Sequence, residues 1–344
     1  MRFRLGNLGE GARRYLGGAV VDGFFNGVSR VARLHPQANP ARHAVEHLRD
    51  IRYFDSSLRE HLLDVYRPAP HAPSQRQAPW PIVFYVHGGG FRILSKDTHW
   101  IMGLGFARRG YIVFNVSYRL APKHRYPAAI EDVCRAFAWV VENAAKYGGD
   151  PTRIVLAGES AGANLAASLA VTLAYEREEP FARAAYATGV VPRAVVPACG
   201  VLQVSDMARL RRRKPGMSSF IADRLAEVES AYLGADAATC SRDLADPLLV
   251  FERGETPSRP IPPFFLPVGT RDPLLPDTRR MAIALRNMGA LAVDAYYPGE
   301  LHAFHALVMR ASARRCWRDT FAFLDQHVPE PGARAPGETA LVSP

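Results

Sequence analysis

Between residues 60 and 300, continuous apolar runs alternate with segments whose apolar residues recur every three or four positions. Short continuous apolar runs are typical of strands that are buried on both faces of a sheet. Apolar residues at helical spacing predict amphipathic helices. We therefore predict an α/β fold with a mostly parallel central sheet flanked by helices. The predicted strands are 64–68, 81–86, 111–116, 153–157, 194–198, 264–268 and 291–297.

Four helices are predicted between these strands or after them. They span residues 128–147, 161–173, 278–288 and 304–328. The helical spacing places one apolar face of each towards the sheet. In the last helix, the side chains expected to face inward are those of Leu307, Val308, Trp317, Phe321 and Leu324.

Two segments depart from the strand–helix rhythm and divide the chain. Residues 1–50 precede the rhythm, and residues 205–258 form an insertion far longer than a simple connection between two strands. We interpret both as a helical cap on a core of residues 51–204 and 259–328. The tail, residues 329–344, is rich in proline, glycine and alanine and is expected to be disordered.

The charge of the chain is strongly basic, but it does not change the predicted class. The 344 residues carry 43 Lys+Arg against 33 Asp+Glu, a formal charge of +10. No nucleic-acid-binding motif accompanies this charge, so we predict a solvated arginine-rich surface and no nucleic-acid partner. The basic cluster at residues 209–214 is expected to be an exposed face or loop.

The sequence contains no apolar run long enough to predict a transmembrane helix. Apolar residues between positions 1 and 34 recur at helical spacing. We favour an amphipathic helix packed on the protein over an interfacial membrane anchor, and we predict no stable membrane insertion. The four cysteines are scattered without metal-ligand spacing, so we expect reduced thiols in a cytoplasmic protein with no metal and no cofactor.

The most informative motif is Gly158-Glu159-Ser160-Ala161-Gly162. It follows a predicted strand and opens a predicted helix, which is the context of a nucleophilic serine raised on a tight turn. Side chains at the two glycine positions would collide across such a turn. We therefore predict that Ser160 is a catalytic nucleophile, which needs a base within hydrogen-bond reach.

A second motif, His87-Gly88-Gly89-Gly90-Phe91, follows the predicted strand 81–86. A glycine-rich loop at a strand end can turn its backbone amides towards the oxyanion of an acyl-transfer intermediate. We predict Gly88 and Gly89 as donors. The amide of Ala161, at the start of a helix whose dipole favours negative charge, is the third predicted donor.

The acid and the base of a triad should follow the serine in that order. Asp272 lies just past strand 264–268; Asp277 is its rival, although its position suggests a helix N-cap. His302 lies thirty residues further on, on a loop, and His305 competes with it from the first turn of the last helix. We prefer Asp272 and His302.

The chain resembles the hormone-sensitive-lipase-like branch of the α/β-hydrolases, the bacterial family IV esterases, over residues 60–328. The resemblance implies an α/β-hydrolase fold with a helical cap and a triad of Ser160, Asp272 and His302. The chain departs from the family pattern at Lys123, Ala163 and Ala303. The segments that carry the resemblance are 87–91, 118–122, 158–166, 272–274 and 302–304.

These observations predict a serine hydrolase that cleaves carboxylic esters with short- to medium-chain acyl or aryl groups, through an acyl-enzyme intermediate. An amidase or arylformamidase uses the same residues and stays an alternative. A ligand-binding protein without activity is the alternative from another class, since plant receptors of similar fold lack the histidine that is present here as His302. A lipase acting at interfaces is a further alternative. The expected partner is a small-molecule ester, and homodimerisation is left open.

Overall fold

A single eight-stranded sheet forms the centre of the structure, a computed structural model that describes residues 20, 22–23, 26–70, 76, 78–234 and 241–329. Strand order along the sheet is β1-β2-β4-β3-β5-β6-β7-β8. Only β2 runs against the others, so the sheet is mostly parallel, as predicted. The strands are β1 (Val45–Arg52), β2 (Leu62–Pro68), β3 (Trp80–Val86), β4 (Ile112–Val116), β5 (Gly149–Glu159), β6 (Ala194–Ala198), β7 (Phe264–Gly269) and β8 (Ala292–Tyr297).

Strand β1 was missed by the sequence analysis, and it begins inside the segment 1–50 that we had assigned to the cap. It pairs antiparallel with β2, from Val45 opposite Pro68 to Arg52 opposite Leu62. Most of its residues are half-buried or exposed because it is an edge strand. An edge strand accepts charged side chains, and these interrupt the apolar run by which a central strand is recognised.

Helices cover both faces of the sheet and bury two apolar layers. On one face, Phe84, Phe114 and Leu156 pack in the same buried cluster as helix residues such as Phe137 and Leu165. The helices are α1 (Trp100–Ala107), α2 (Ala128–Asn143), α3 (Ala161–Ala174), α4 (Pro180–Tyr186), α5 (Ala208–Arg213), α6 (Ser219–Leu233), α7 (Pro247–Arg253), α8 (Leu275–Asn287) and α9 (Ala311–His327). The opposite cluster joins Val83 and Val113 to residues of α1 and α9.

The last helix differs from its prediction. The segment Phe304–Ala306 is a separate 3-10 turn, and α9 begins only at Ala311, after an extended residue. Leu307 and Val308 therefore lie outside the helix and are 46% and 38% exposed, so the prediction that they face the core was wrong.

Three helices that pack differently lie in the described residues of the insertion, 205–234 and 241–258. Helix α6 lies over the glycine-rich loop, whereas α7 contributes Leu248 and Phe251 to the main core. Arg209 of α5 is buried against Asp277, so the basic cluster is not wholly exposed as predicted. The insertion is thus anchored in the core at its end.

The N-terminal segment is helical over residues 26–33. Its Ser29 hydroxyl donates to the Thr98 carbonyl, and the Arg33 guanidinium donates to the Asp97 carbonyl, so this helix packs on the protein. None of the helices among the described residues combines the length and apolar character needed to cross a bilayer. The predicted disordered tail lies outside the described residues except for Pro329.

Candidate active site

The three predicted triad residues lie at the same edge of the sheet. Ser160 follows β5 directly, Asp272 comes three residues after β7, and His302 comes five residues after β8. The carboxyl ends of parallel strands meet at one edge, where ligands of open α/β sheets bind. Topology alone therefore brings these residues to one region.

Ser160 occupies a strained turn between β5 and α3. Its φ of 55° and ψ of −115° place it in the left-handed half of backbone space, which a residue with a Cβ rarely adopts. Its amide donates to the Ala198 carbonyl at 3.0 Å, which holds the turn against β6. Such strain persists only where the surrounding structure enforces it, as at functional sites.

The two glycines of the turn are required by close backbone contacts. A Cβ at Gly158 would lie 2.4 Å from the Gly162 carbonyl oxygen, and a Cβ at Gly162 would lie 2.1 Å from that of Val86. Both separations are far below van der Waals contact. The strand end and the helix start can therefore approach only with glycine at these positions.

Asp272 and His302 are in direct contact. Oδ2 of Asp272 lies 2.8 Å from Nδ1 of His302. The other carboxylate oxygen, Oδ1, accepts a hydrogen bond from the Leu274 amide at 2.8 Å. The Asp272 side chain is fully buried, whereas that of His302 is 36% exposed. The carboxylate is thus fixed and can orient a ring that stays accessible.

The surroundings of His302 favour its protonated form. Desolvation alone would lower the pKa of the imidazole, but attraction to Asp272 and to the Cys199 sulfur raises that pKa well above its usual range. A carboxylate in this position stabilises an imidazolium that forms when the ring accepts a proton.

The rivals of these residues have other partners. Asp277 is in the first turn of α8 rather than at its N-cap, and it is fully buried against the Arg209 guanidinium at 2.6 Å. Its Oδ2 also accepts a hydrogen bond from the Leu202 amide. His305 is buried, and its Nε2 lies 3.1 Å from Oε2 of Glu159. Among the described residues, neither rival forms a hydrogen bond or an ion pair with Asp272 or His302.

Glu159 links the Ser160 turn to two loops, a role that the sequence analysis missed. Its Oε1 lies 2.8 Å from Nε2 of His99, and its Oε2 contacts His305. Burial alone would raise the pKa of Glu159, but the hydrogen bonds from His305 and His99 hold it well below its usual range. Because Glu159 precedes Ser160 and His305 follows His302 by three residues, this contact holds the histidine loop beside the serine turn.

The glycine-rich loop offers two free amides. Gly89 and Gly90 have φ of +112° and +60°, and their amides donate to no acceptor within the described ranges. The Gly88 amide instead lies 3.3 Å from Nε2 of His99, inside the buried network. Ala161 begins helix α3, where amides lack acceptors within the helix.

His87 supports this loop without being available as a base. Its ring stacks on Tyr118, with centroids 4.3 Å apart, and its Nδ1 lies 2.7 Å from the Gly88 carbonyl oxygen. Burial lowers the pKa of His87 to about 3, so the ring is neutral. Its role is structural.

Helix α6 is joined to the end of the same loop. The rings of Phe91 and Tyr232 stack with centroids 3.8 Å apart, and the Arg92 guanidinium forms an ion pair with Glu227. A Cβ at Gly90 would lie 2.9 Å from Val228. The insertion therefore covers the loop closely.

Comparison with known proteins identifies the family. A model of proteins with the alpha/beta hydrolase fold matches residues 83–306, and the chain belongs to this family. The predicted fold class and the resemblance to α/β-hydrolases are both confirmed.

Relatives carry names that describe ester cleavage. Esterase LipQ of Mycobacterium tuberculosis is 32% identical over 72% of this chain and 55% of its own length, so this chain matches only about half of that relative. Ethyl acetate hydrolase of Pseudomonas putida is 31% identical over 70% of each chain. Among solved structures, esterase LipW of Mycobacterium marinum has a TM-score of 0.68 at 25% identity, covering 89% of this chain and 88% of that one.

Proposed function

We propose that the protein is a serine hydrolase that cleaves carboxylic esters. The observation that supports this most is the fixed Asp272–His302 pair beside a strained turn that carries Ser160. The names of LipQ and of ethyl acetate hydrolase support an ester as the substrate. Small esters with short- to medium-chain acyl or aryl groups are the proposed substrate class.

The chemistry follows from the roles of the three side chains. His302 takes the Ser160 proton on Nε2 as the hydroxyl attacks the ester carbonyl, while Asp272 keeps Nδ1 protonated and the ring oriented. His302 then donates the proton to the departing alcohol, which leaves an acyl-enzyme. Water, activated by His302 in the same way, releases the acid and restores Ser160.

For the oxyanion we propose the amides of Gly89, Gly90 and Ala161. This revises the prediction from sequence, because the Gly88 amide faces His99. The positive φ of Gly89 and Gly90 turns their N–H groups out of the strand direction, so that both amides are preorganised to donate to the oxyanion. Loss of one such donor typically costs about 3 kcal/mol in transition-state stabilisation.

We also propose that α6 and the N-terminal residues form a cap that shapes the substrate pocket. The support comes from contacts with the glycine-rich loop and the residues that follow it. From α6, Tyr232 stacks on Phe91 and Glu227 pairs with Arg92. From the N-terminal helix, Arg33 donates to the Asp97 carbonyl. Homodimerisation and a cytoplasmic location stay predictions from sequence. Light scattering of the purified chain tests the first.

The decisive experiment compares Ser160→Ala with Ser56→Ala, the same change at a half-buried serine in the connection between β1 and β2. We expect Ser160→Ala to abolish labelling by a fluorophosphonate and to lower p-nitrophenyl acetate hydrolysis by about 10⁴-fold or more. Ser56→Ala should retain both. Equal rates in the two variants would refute the proposal.

A panel of matched p-nitrophenyl esters and p-nitroanilides separates the alternatives. Faster turnover of the anilides, or of an aryl formamide, would replace the ester assignment by the amidase one. Tight binding of esters without turnover or labelling would favour the binding protein.

A further inference from the structure

A third side chain that can bind a metal ion, that of Cys199, lies beside the Asp272–His302 pair, and the proposed reaction does not use it. Cys199 follows β6 directly and is 1% exposed. Its Sγ, a ring nitrogen of His302 and a carboxylate oxygen of Asp272 all lie within 4.8 Å of one another. Within the described ranges this is the one group of three or more histidine, cysteine or carboxylate side chains that converge so closely.

We propose that these three residues form an inhibitory site for a thiophilic divalent cation such as Zn²⁺. The ligands are Sγ of Cys199, Nδ1 of His302 and a carboxylate oxygen of Asp272, and binding takes His302 out of the hydrolytic reaction. The binding itself depends only on the three side chains. The inhibition rests on the proposed function.

The ligand chemistry matches zinc. Zn²⁺ binds cysteine sulfur at about 2.3 Å and histidine nitrogen or carboxylate oxygen at about 2.0–2.2 Å, in a tetrahedron. Ligand atoms around such a tetrahedron are roughly 3.2–3.8 Å apart. Asp272 and His302, now 2.8 Å apart, would separate slightly, and Cys199 would approach them. Because the His302 side chain is 36% exposed, the site borders on solvent, which can supply the ion and a water as fourth ligand.

Charge also favours the ion in this site. A thiolate, a carboxylate and one divalent cation sum to zero, so no net charge is left in a largely buried place. An unpaired ion there would be costly. Neither Cys134 nor Cys316, although both are buried thiols, belongs to a comparable group among the described residues.

Binding of the ion releases one proton and moves another. The Cys199 thiol loses its proton to solvent, because the thiolate is the ligating form. The His302 ring stays neutral while its proton moves from Nδ1, which now binds the metal, to Nε2. An Nε2–H group cannot accept the proton of Ser160. The bound ion therefore inhibits without blocking the serine itself.

The test uses Cd²⁺ as an optical probe, because cadmium thiolates absorb in the ultraviolet, and uses the full chain with and without Ser160→Ala. We expect one equivalent of Cd²⁺ per chain and competition by Zn²⁺. Cys199→Ser should abolish the band, and His302→Ala should weaken binding at least tenfold. Cys134→Ala and Cys240→Ser, which each remove one other thiol, should retain it.

The activity arm measures Zn²⁺ inhibition of p-nitrophenyl acetate hydrolysis and its reversal by EDTA. Cys199→Ser should need at least tenfold more Zn²⁺ for half-inhibition. A persistent band or equal inhibition in Cys199→Ser would overturn the proposal, and so would the absence of Cd²⁺ binding at millimolar concentration. If Cys199→Ser does not fold, an unchanged Cd²⁺ affinity in His302→Ala overturns it. If ester hydrolysis itself is absent, the Cd²⁺ band still decides the site.

Discussion

Two aspartate–histidine pairs lie in different parts of the sheet, and their contacts look alike. Asp272 Oδ2 lies 2.8 Å from His302 Nδ1 near β7 and β8, and Asp64 Oδ2 lies 2.8 Å from His47 Nε2 between β1 and β2. Both aspartate side chains are fully buried. Distance and burial of the carboxylate therefore do not distinguish the pair that we propose to be catalytic from a structural one.

The neighbours of the two carboxylates differ. Asp64 also contacts the buried Lys96 ammonium at 2.8 Å and accepts from the Asp50 amide at 3.0 Å, so its charge is shared within an ion cluster. Asp272 has His302 as its one ionisable hydrogen-bond partner among the described residues, plus an amide. A carboxylate that is committed to one accessible ring can orient that ring for chemistry, whereas one inside a cluster holds strands together.

The largest expected difference is in activity. His302→Asn should lower kcat/KM for p-nitrophenyl acetate by about 10⁴- to 10⁶-fold, because Ser160 loses its base. His47→Asn, the same change in the other pair, should leave the rate within a factor of a few. Steady-state kinetics on folded variants checks both values, and comparable losses in the two variants would erase the distinction.

The second difference is in stability and its pH dependence. Burial alone would raise the pKa of Asp64, but hydrogen bonds from His47 and Lys96 lower it to about 2. A pKa below the unfolded value of 3.8 means that the ionised Asp64 carboxylate stabilises the fold above about pH 4 and loses this effect as the pH falls towards 2. Asp64→Asn should therefore cost about 2 kcal/mol at pH 7.

Urea unfolding between pH 7 and pH 3 measures this effect, and the gap between variant and parent should narrow towards the acid end. Asp97→Asn is the control, because Asp97 is 39% exposed and its contact with Lys96 is longer, at 3.4 Å. It should cost less than about 1 kcal/mol. A gap for Asp64→Asn that stays constant with pH would contradict the assigned cause.

The smallest difference concerns the backbone beside the His302 ring. Ala303 has a φ of 55°, which costs a residue with a Cβ about 1–2 kcal/mol and costs glycine little. Ala303→Gly should stabilise the protein by up to about 1 kcal/mol, because added freedom of the unfolded chain offsets part of the relief. Ala306→Gly, in the adjacent 3-10 turn, should destabilise instead. Denaturant midpoints of the two variants should move in opposite directions.

Local patterns predicted most of the sheet, and they selected Asp272 and His302, which the structure brings into contact. Apolar runs such as 81–86 and 264–268 identify central strands because both of their faces are buried. The glycines at 158 and 162 identify the turn because only glycine fits the contacts there. Edge strand β1 escaped prediction because an edge needs no apolar run.

The partners of the other buried charged side chains, which come from distant segments, could not be predicted. Asp277 was interpreted as an N-cap because it precedes the predicted helix 278–288. Its actual partner, Arg209, comes from the insertion, so no local pattern indicates it. Glu159 stands inside the motif that we used, yet its histidine partners come from residues 99 and 305. The acidic second residue of that motif, at the end of a predicted buried strand, was the available signal that it needed partners.

The stacking of Tyr232 on Phe91 and the pairing of Glu227 with Arg92 have a consequence for protein engineering. Pocket redesign by transplanting α6 from a relative would bring a foreign surface against the glycine-rich loop. The two halves of these pairs would then be mismatched, and the amides that we propose as oxyanion donors would shift with them. Residues 91–92 and 219–233 should accordingly be exchanged as one module, so that a chimera inherits specificity without losing turnover.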